Sequence, residues 1–414
     1  MKPRLCTALL ALTAGASLPA QTTPPAPDSP ANPFTQSLPD ALAKGKFSLD
    51  ARLRWEYADQ QNLRSSNAFL LASRFGFTSA SVDGFQGMVE GENVAVIGNT
   101  NNYNAAGTNP GASKRTVIAD PPVTDLNQAW LSYTNADVTV KGGRQRVVLD
   151  NARFVGDVGW RMNQQTFDSA TLTATPAENM TVFYGYIWRV SRVFGNKSPQ
   201  PDFVSKSHLI NVSYGGWAYG KITAYAYLLD FTNSAANSSD TYGGSFAGAA
   251  PLTKEFKLTY RLEAATQSDA SNNPLHYTAR YYVGELGGAI KPFDFGAGYE
   301  VLGSDGGKKG FATPLATLHA FNGWDDEFLA TPANGLRDFY ASAGVALPGG
   351  FPLKVVYHKF DSDYGSHNYG NEWDALITHK FGKYWTVLAK AAHYDGKPPF
   401  FDTDKFWLQA EFTF

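Results

Sequence analysis

Apolar and polar residues alternate along the first patterned segment of the chain, residues 47–57. Odd positions carry Phe, Leu, Ala, Leu, Trp and Tyr, whereas even positions carry Ser, Asp, Arg, Arg and Glu. Successive side chains of a β-strand point to opposite faces, so this segment is predicted to be a strand with one apolar and one charged face. An arginine that faces lipid at the membrane midplane costs about 2–4 kcal/mol. In a membrane, the charged face would therefore have to face water inside a barrel.

The segment Asp404–Phe414 ends the chain with the same pattern. Its even positions from Phe406 onward are apolar, and its odd positions from Lys405 onward are mostly polar. A soluble protein rarely exposes a flat edge strand of this kind, because such edges aggregate. A strand that closes a barrel against the first strand has no free edge, and its apolar face can contact lipid. A core strand of a soluble sandwich is the alternative, because strand periodicity does not separate lipid from a protein core.

The alternation recurs along the whole chain, and this recurrence favours a membrane barrel over a sandwich. Segments between turn signals predict about 16–18 strands in an all-β, transmembrane, antiparallel β-barrel. A barrel of this size encloses an aqueous channel rather than a packed core. Further alternating segments are residues 69–77, 85–93, 219–231, 256–264, 293–301 and 372–381.

The connections differ in length, which is itself typical of outer-membrane barrels. Short turns are predicted on the periplasmic side and long polar loops on the extracellular side. The predicted short turns are Thr134–Asp137, Pro176–Asn179 and Gly215–Gly216, and the predicted long loops are Gly98–Pro122, Asn233–Ala250 and Gly303–Leu336.

The amino terminus is predicted to be a secretory signal peptide, residues 1–20. Lys2 and Arg4 precede a short apolar run that ends in small residues near Ala20. Residues 21–46 are rich in Pro, Ala, Thr and Ser, which predicts a disordered periplasmic leader. Residues 47–414 are then the barrel. The one cysteine, Cys6, lies in the signal peptide, so the exported protein would contain no thiol in an oxidising compartment.

Composition narrows the possible partners. The chain has 414 residues, of which 14% are aromatic and 17% charged, with 39 Gly and a net charge of −2. Abundant aromatic residues and glycines fit many strands, turns and aromatic girdles in contact with outer-membrane lipid. A net charge near zero argues against nucleic acid as a partner.

The stretch Gly143–Asp168 departs from simple alternation and is the first candidate for a functional site. Arginines in a narrow channel present planar, permanently charged donors that suit carboxylates, while nearby aspartates limit their mutual repulsion. A structural ion-pair network that holds an inward-folded loop is an equally good interpretation. The candidate residues in this stretch are Arg144, Arg146, Asp150, Arg153, Asp157, Arg161 and Asp168.

Three more charged residues lie on predicted lumen faces and are added to the candidate constriction. They are Lys257, Arg261 and Glu300. The stretch Gly303–Leu336 is long for a loop and carries several aromatic residues, so it could be an extracellular lid, a sugar-stacking surface or a cap that packs on itself.

Several stretches together resemble the alginate-export family of outer-membrane proteins. They are the arginine stretch Gly143–Asp168, the residues Tyr299–Gly307 and Thr313–Leu336, and the closing segment from Asp402 to Phe414. The resemblance extends from about Lys44 to Phe414. It implies a barrel of about 18 strands with an arginine-rich constriction that passes acidic polysaccharide. By motif match, the arginines of that constriction would be Arg144, Arg146, Arg153 and Arg161.

A passive channel for anionic sugars or other small carboxylates is the leading functional hypothesis, for export or for uptake. An outer-membrane lipase or protease is a second, but the seven histidines are scattered, and no Gly-x-Ser-x-Gly elbow or metal-ligand spacing is present. No catalytic residue, metal or cofactor is therefore predicted. A closed structural or adhesive barrel is the third. The aromatic end of the last strand, Phe414, resembles the signal by which the barrel-assembly machinery recognises its clients.

Overall fold

The computed structural model of the protein describes residues 38–414. The predicted signal peptide, residues 1–20, lies outside the described residues, as does the predicted leader up to residue 37. Within residues 38–414 the chain forms one closed, antiparallel barrel of eighteen strands, in which each strand pairs with its sequence neighbours and β1 also pairs with β18. The prediction of an all-β barrel of about 18 strands is confirmed.

The strands are joined by turns at one end of the barrel and by longer loops at the other. A short helix α1, Leu38–Ala43, precedes the first strand, and 3-10 turns occur at Thr100–Asn102, Pro110–Ala112, Ala235–Asn237 and Leu318–Ala320. The strands are β1 (Lys46–Gln60), β2 (Ser66–Thr78), β3 (Phe85–Val96), β4 (Val123–Asn135), β5 (Val138–Gln145), β6 (Thr166–Ala174), β7 (Met180–Ser191), β8 (Asp202–Trp217), β9 (Gly220–Leu229), β10 (Ser239–Pro251), β11 (Phe256–Asp269), β12 (Thr278–Ile290), β13 (Phe293–Leu302), β14 (Leu336–Leu347), β15 (Phe351–Asp361), β16 (Asn368–Phe381), β17 (Trp385–Gly396) and β18 (Thr403–Thr413).

The seam between β1 and β18 closes the barrel, as the alternation in both segments predicted. The two strands pair from Asp50 opposite Thr413 to Gln60 opposite Thr403. The pairing continues into Phe414, whose N–H donates to the Leu49 carbonyl at 2.9 Å and whose carbonyl accepts from the Leu49 N–H at 3.1 Å. The sheet therefore has no free edge at this seam.

The charged face of β1 points into the barrel and its apolar face points out. Arg52, Arg54 and Glu56 are almost completely buried, whereas Phe47 and Leu53 on the other face are exposed toward the surrounding membrane. The same division holds in β18, where Trp407 is buried and Leu408 is exposed. Polar residues in the interior and apolar residues outside are the reverse of a soluble protein and fit a lipid-embedded barrel.

Short and long connections alternate as predicted, although two of the predicted connections are wrong. Most of the predicted loop Asn233–Ala250 belongs to β10, and the predicted turn Gly215–Gly216 lies inside β8, whose turn to β9 is residues 218–219. In β10 the small residues hide the alternation that marks a strand elsewhere. The predicted loops Gly98–Pro122 and Gly303–Leu336 agree closely with the connections β3–β4 and β13–β14.

The end of the predicted leader has regular structure. Helix α1 packs Ala41 against the β2–β3 turn, where the Ala80 N–H donates to the Ala41 carbonyl at 2.9 Å, and β1 begins at Lys46, one residue earlier than predicted. No helix among residues 38–414 is long and apolar enough to cross a membrane.

One glycine of the inner wall makes room for a tyrosine. A Cβ atom on Gly298 would lie 2.3 Å from the Tyr340 ring, which therefore rests flat on β13. In this position the Tyr340 hydroxyl donates to Glu285 at 2.5 Å. A side chain at position 298 would push the ring into the lumen and break this contact.

Candidate functional site: loops folded into the lumen

Two long connections fold into the barrel and join each other. They are residues 146–165, between β5 and β6, and residues 303–335, between β13 and β14, which we call the loop cluster. Val155 and Leu315 form a parallel bridge, and the Gly156 N–H donates to the Leu315 carbonyl at 2.9 Å. Gln165 donates to that same carbonyl at 3.1 Å. The two loops therefore form one packed unit.

The loop cluster spans the interior to the seam strands. Arg54 of β1 donates to the Trp160 carbonyl at 2.7 Å, and Arg74 of β2 donates to the Met162 carbonyl at 2.5 Å. The third inward connection, residues 97–122, joins the same unit, because Asp120 accepts from the Met162 N–H at 2.8 Å. Residues 155–167 are all buried. Side chains of the barrel wall thus donate hydrogen bonds to the irregular backbone of these loops. Such partners are required wherever non-helical backbone lies inside a membrane protein.

Arg153 holds the middle of the loop cluster to the wall. Its Nε and Nη2 donate to the two Glu300 carboxylate oxygens at 2.6 and 3.2 Å, and Nη2 also donates to Asn322 at 3.0 Å. Burial alone would lower the pKa of Arg153, but the charge of Glu300 outweighs it and the pKa is raised. With only 2% of its surface exposed, Arg153 is a structural tie. This differs from the predicted pore-lining role of Arg153 and Glu300.

Arg161 has a similar position beside the seam. It pairs with Asp326, and its Nη1 lies 3.6 Å from Asp120 and 3.9 Å from Glu56. Burial, which raises the pKa of Asp326, is outweighed by His319, Lys405 and Arg161, so this pKa lies well below its usual range. Arg161, predicted to line the constriction, is thus buried among carboxylates. Its position fits the alternative interpretation, in which the arginine stretch is a structural ion-pair network.

Arg144 and Asp168 lie on the other side of the wall. They are opposite each other on β5 and β6, joined by hydrogen bonds of 2.7 and 3.1 Å, and Asp168 is opposite Arg189 on β7. Their neighbours Gln145 and Phe167 are buried and point inward. Strand alternation continues to Gln145, although it was expected to end near Gly143. Because neighbouring residues of a strand point to opposite faces, Arg144 points outward if Gln145 points inward. The predicted lumen position of Arg144 and Asp168 is therefore corrected.

Arg146 and Asp150 are the residues of the arginine stretch that keep contact with solvent on the lumen side. Arg146 pairs with Asp157, with Nε 2.7 Å from Oδ2, and its side chain remains 32% exposed. Asp150 accepts from Asn211 at 2.7 Å and from Lys221 of β9 at 3.2 Å. The predicted residues Arg146, Asp150 and Asp157 are thus brought together near the start of the loop.

The remaining predicted residues lie on the inner face of β11. Arg261 pairs with Glu263 and lies 3.3 Å from Glu285, so its charge is balanced on the wall itself. Lys257 shares this face, nearer the short-turn end of the barrel, and is partly exposed. Glu300 accepts from the Tyr281 hydroxyl at 2.7 Å and so connects this wall to the loop cluster.

A lysine in a tryptophan cage was not predicted. The Lys390 Nζ lies 4.1 Å from the centre of the Trp160 ring, 3.8 Å from that of Trp324 and 5.3 Å from that of Trp407. It lies 2.6 Å from His319 Nε2, while His319 Nδ1 lies 2.7 Å from Asp326. Burial holds the pKa of His319 well below its usual range, so the neutral ring accepts from Lys390 and donates to Asp326.

The signals for this cage were only partly visible in the sequence. Lys390 and Trp407 occupy inward positions of alternating strands, but the residues that meet them come from loops far away along the chain. The side chains of Asp326, His319 and Lys390 are each no more than 5% exposed and so offer no access to a substrate. Among residues 38–414, no group of three or more His, Cys, Asp or Glu side chains is arranged to hold a metal ion.

A closed eighteen-stranded barrel with an apolar outer wall and loops folded into a polar lumen defines a bacterial outer-membrane channel protein of the porin type. The chain belongs to the alginate export family, whose model matches residues 44–283. The search of curated proteins gave no match.

Solved porin structures share the fold. OccAB4 of Acinetobacter baumannii matches with a TM-score of 0.70 at 14% identity, over 89% of this chain and 98% of that one. OccAB2 of the same organism matches with a TM-score of 0.72 at 12% identity, over 90% and 98%. OpdK of Pseudomonas aeruginosa, solved with vanillate, matches with a TM-score of 0.70 at 12% identity, over 90% and 99%. At these identities the likeness is one of fold, and function has to be argued from the site.

Proposed function

We propose that this protein is a non-catalytic outer-membrane channel through which anionic solutes diffuse, with acidic oligo- or polysaccharides of the uronate or alginate type as the leading class. The observation that carries the proposal is the partly exposed guanidinium of Arg146 at the point where residues 146–165 leave the wall. Membership of the alginate export family supports a carboxylated saccharide. Vanillate, which is named with OpdK, also carries a carboxylate.

Two further cations lie in the same sector of the barrel. Lys141 shares the inward face of β5 with Gln145, and its Nζ lies 4.3 Å from the centre of the Trp130 ring. Lys221 of β9 keeps 49% of its side chain exposed beside Asp150. Together with Arg146 they give one side of the lumen accessible positive charge. The net charge of −2 does not oppose this, because the narrowest segment, where fields are focused, sets selectivity.

Diffusion moves a solute down its concentration gradient, so the same channel serves export or uptake. The buried ties Arg153 and Arg161 contribute by fixing the loop cluster, which narrows the lumen and leaves Arg146 at its edge. This arrangement separates the arginines that shape the passage from the arginine that contacts the solute.

Replacing Arg146 and Lys221 with glutamine is expected to lower the anion preference of the pore, because both side chains face water and lose their charge. Reversal potentials of the purified protein in planar bilayers under a salt gradient measure this preference. Arg144→Gln is the matched control, since it removes the same charge from the outer face and should leave the reversal potential unchanged.

Three results would contradict this proposal. The first is a cation preference in the wild-type pore, and the second is an unchanged reversal potential in the Arg146→Gln/Lys221→Gln variant. The third is an equal effect of Arg144→Gln, which would mean that selectivity is not set inside the lumen. Oligouronates added to the wild-type pore should reduce the salt current in competition with chloride.

We also propose that the barrel-assembly machinery recognises the last strand through Phe414. The Phe414 ring lies 5.7 Å from that of Tyr384 and is 65% exposed, so it is available at the barrel surface. Deleting Phe414 or replacing it with Asp is expected to reduce the folded protein in the membrane, measured by heat-modifiable migration on gels. Replacement with Tyr keeps the aromatic ring and is the control. An unchanged yield of folded Phe414→Asp barrel would contradict this proposal.

A further inference from the structure

Loop 303–335 is attached to the wall through its backbone at residues 324–325. The N–H groups of Trp324 and Asp325 both donate to Oε1 of Glu372 on β16, the second at 2.8 Å. Gly323, with a φ of +86°, approaches Glu372 so closely that a Cβ atom would overlap the carboxylate. Lys405 of β18 donates to the Asp325 carbonyl at 2.5 Å. The carboxyl group of Glu372 is therefore the point at which this loop is docked.

Three carboxyl groups at this point are buried, and each has at least one oxygen without a hydrogen-bond donor. Asp325, Glu372 and Asp374 are each no more than 2% exposed. Both oxygens of Asp325, both of Asp374 and Oε2 of Glu372 have no hydrogen-bond donor among residues 38–414, apart from a proton shared between the carboxyl groups. Glu372 and Asp374 are within hydrogen-bonding reach of each other. A buried ionised carboxylate without donors is costly, so the docked arrangement favours protonated carboxyl groups.

The neighbouring cations make their hydrogen bonds with acceptors other than these three carboxyl groups. Lys390 of β17 donates to His319 inside its tryptophan cage, and Lys405 donates to the Asp325 carbonyl and to Asp326. His358 of β15 contacts Asp338 of β14 through Nδ1 at 2.9 Å, and its Nε2 lies 3.7 Å from Asp374. The other charged groups that face this point are Lys354 of β15 and, in the loops, Glu327 and Arg161.

The two loop carboxyl groups at this point, Asp325 and Asp326, differ in their preferred protonation state. Burial, followed by the charge of Glu372, holds the pKa of Asp325 well above its usual range. The adjacent Asp326, surrounded by His319, Lys405 and Arg161, has its pKa well below the usual range. Asp326 therefore supplies the permanent negative charge of the docked loop, and Asp325 is the member that releases a proton when the loop leaves the wall.

We propose that Asp325, Glu372 and Asp374 form a proton-dependent latch, which holds loop 303–335 in the lumen while its carboxyl groups carry protons and releases the loop as the pH rises. The inference rests on the proposed function only in requiring that the chain conduct ions, and not on which ions it prefers.

The direction of the effect follows from proton linkage. Asp325 has a raised pKa in the docked state, so docking takes up protons relative to the released loop, whose carboxyl groups face water. Docking is therefore strongest below the pKa of a solvated aspartate, about 4, and weakens as the pH rises toward the docked pKa. The conductance should increase with pH in the same window.

Planar-bilayer recordings of the full-length protein in potassium chloride, between about pH 5 and pH 9, test the latch. The wild-type conductance is expected to rise by a factor of about two or more across this range, because a released loop leaves a wider lumen. Asp325→Asn and Asp374→Asn each remove one ionisable carboxyl group from the latch and should flatten the rise of conductance with pH. Glu90→Gln removes a carboxylate from β3, where it accepts from Asn127 and Gln128 and not from the latch, and should keep the wild-type response.

Glu372→Gln is the second variant, because its amide oxygen retains the acceptor for the two loop N–H groups. It should also flatten the pH response, and heat-modifiable migration verifies that each variant is folded. A wild-type conductance that is constant or falls with pH overturns the proposal, and so does a wild-type response in all three latch variants. Reversal potentials in the same bilayers keep the two proposals separate, because a cation-selective pore that still opens with pH contradicts only the anion-channel proposal.

Discussion

Shortening loop 303–335 is expected to raise the single-channel conductance several-fold. The loop occupies the lumen from Tyr281 of β12 to the seam strands. It packs against buried residues of its partner loop, among them Val155, Trp160 and Arg161. Replacing residues 305–333 with a short Gly-Ser linker removes this filling while keeping β13 to Leu302 and β14 from Leu336. An eighteen-stranded barrel without an internal loop encloses a wide aqueous channel.

The shortened loop also removes support from its partner. Thr317 donates its N–H to the Ala152 carbonyl at 3.0 Å, and Leu315 accepts from Gly156 at 2.9 Å. Loop 146–165 would lose these bonds and become mobile. The wall carboxylates Glu300 and Glu372, now exposed to water in the lumen, would no longer be buried, so the barrel itself should still assemble.

A matched control is the connection between β7 and β8, residues 192–201, which lies at the same end of the barrel. Removing only its residues 196–199 keeps the Val193 carbonyl that accepts from Asn163 of the loop cluster, and should leave the conductance close to wild type. A folded barrel that lacks residues 305–333 and conducts like the wild type would contradict the prediction, since the lumen would then be open beside the loop.

The architecture could be predicted from the sequence because the membrane imposes a strict two-residue period. In β1 the charged residues Arg52 and Arg54 have no alternative to the lumen, and the closing strand repeats the pattern up to Phe414. Strand β10 was missed because alanines and glycines carry no strong preference for either face. Gly243 in that strand leaves room for the Tyr225 ring, so its role depends on a neighbouring strand and is invisible in its own segment.

The site was harder to predict because its pairs join distant parts of the chain. The stretch Gly143–Asp168 was found by its charge, but charge does not say which face a side chain occupies. Arg144 points outward because of its register in β5. Arg153 pairs with Glu300, which lies 147 positions further along the chain. A dense alternation of Arg and Asp therefore marked the loop that folds inward. Its division into buried ties and the exposed Arg146 required the tertiary structure.

Replacing Arg153 with glutamine is expected to release the middle of the loop cluster from the wall. The change leaves Glu300 buried with its charge uncompensated, which costs about 3–5 kcal/mol in a buried pair. Either the loops undock or Glu300 takes up a proton, and both outcomes weaken the tie among Arg153, Asn322 and Glu300. Limited proteolysis of the folded barrel should cut residues 303–335 faster, and current recordings should become noisier.

The double variant Arg153→Gln/Glu300→Gln distinguishes two causes of loop release, an uncompensated buried charge and a simple loss of packing. It removes both charges, so it should recover much of the protection that Arg153→Gln loses, because no charge is left buried without a partner. Arg146→Gln is the control for stability: its pair with Asp157 is partly exposed and should contribute no more than about 1 kcal/mol. If Arg153→Gln leaves proteolysis unchanged, or if the double variant is cut as fast as the single one, Arg153 does not hold the loops through Glu300. The contacts that Arg54 and Arg161 make beside the seam would then be the ones that hold the loops in the lumen.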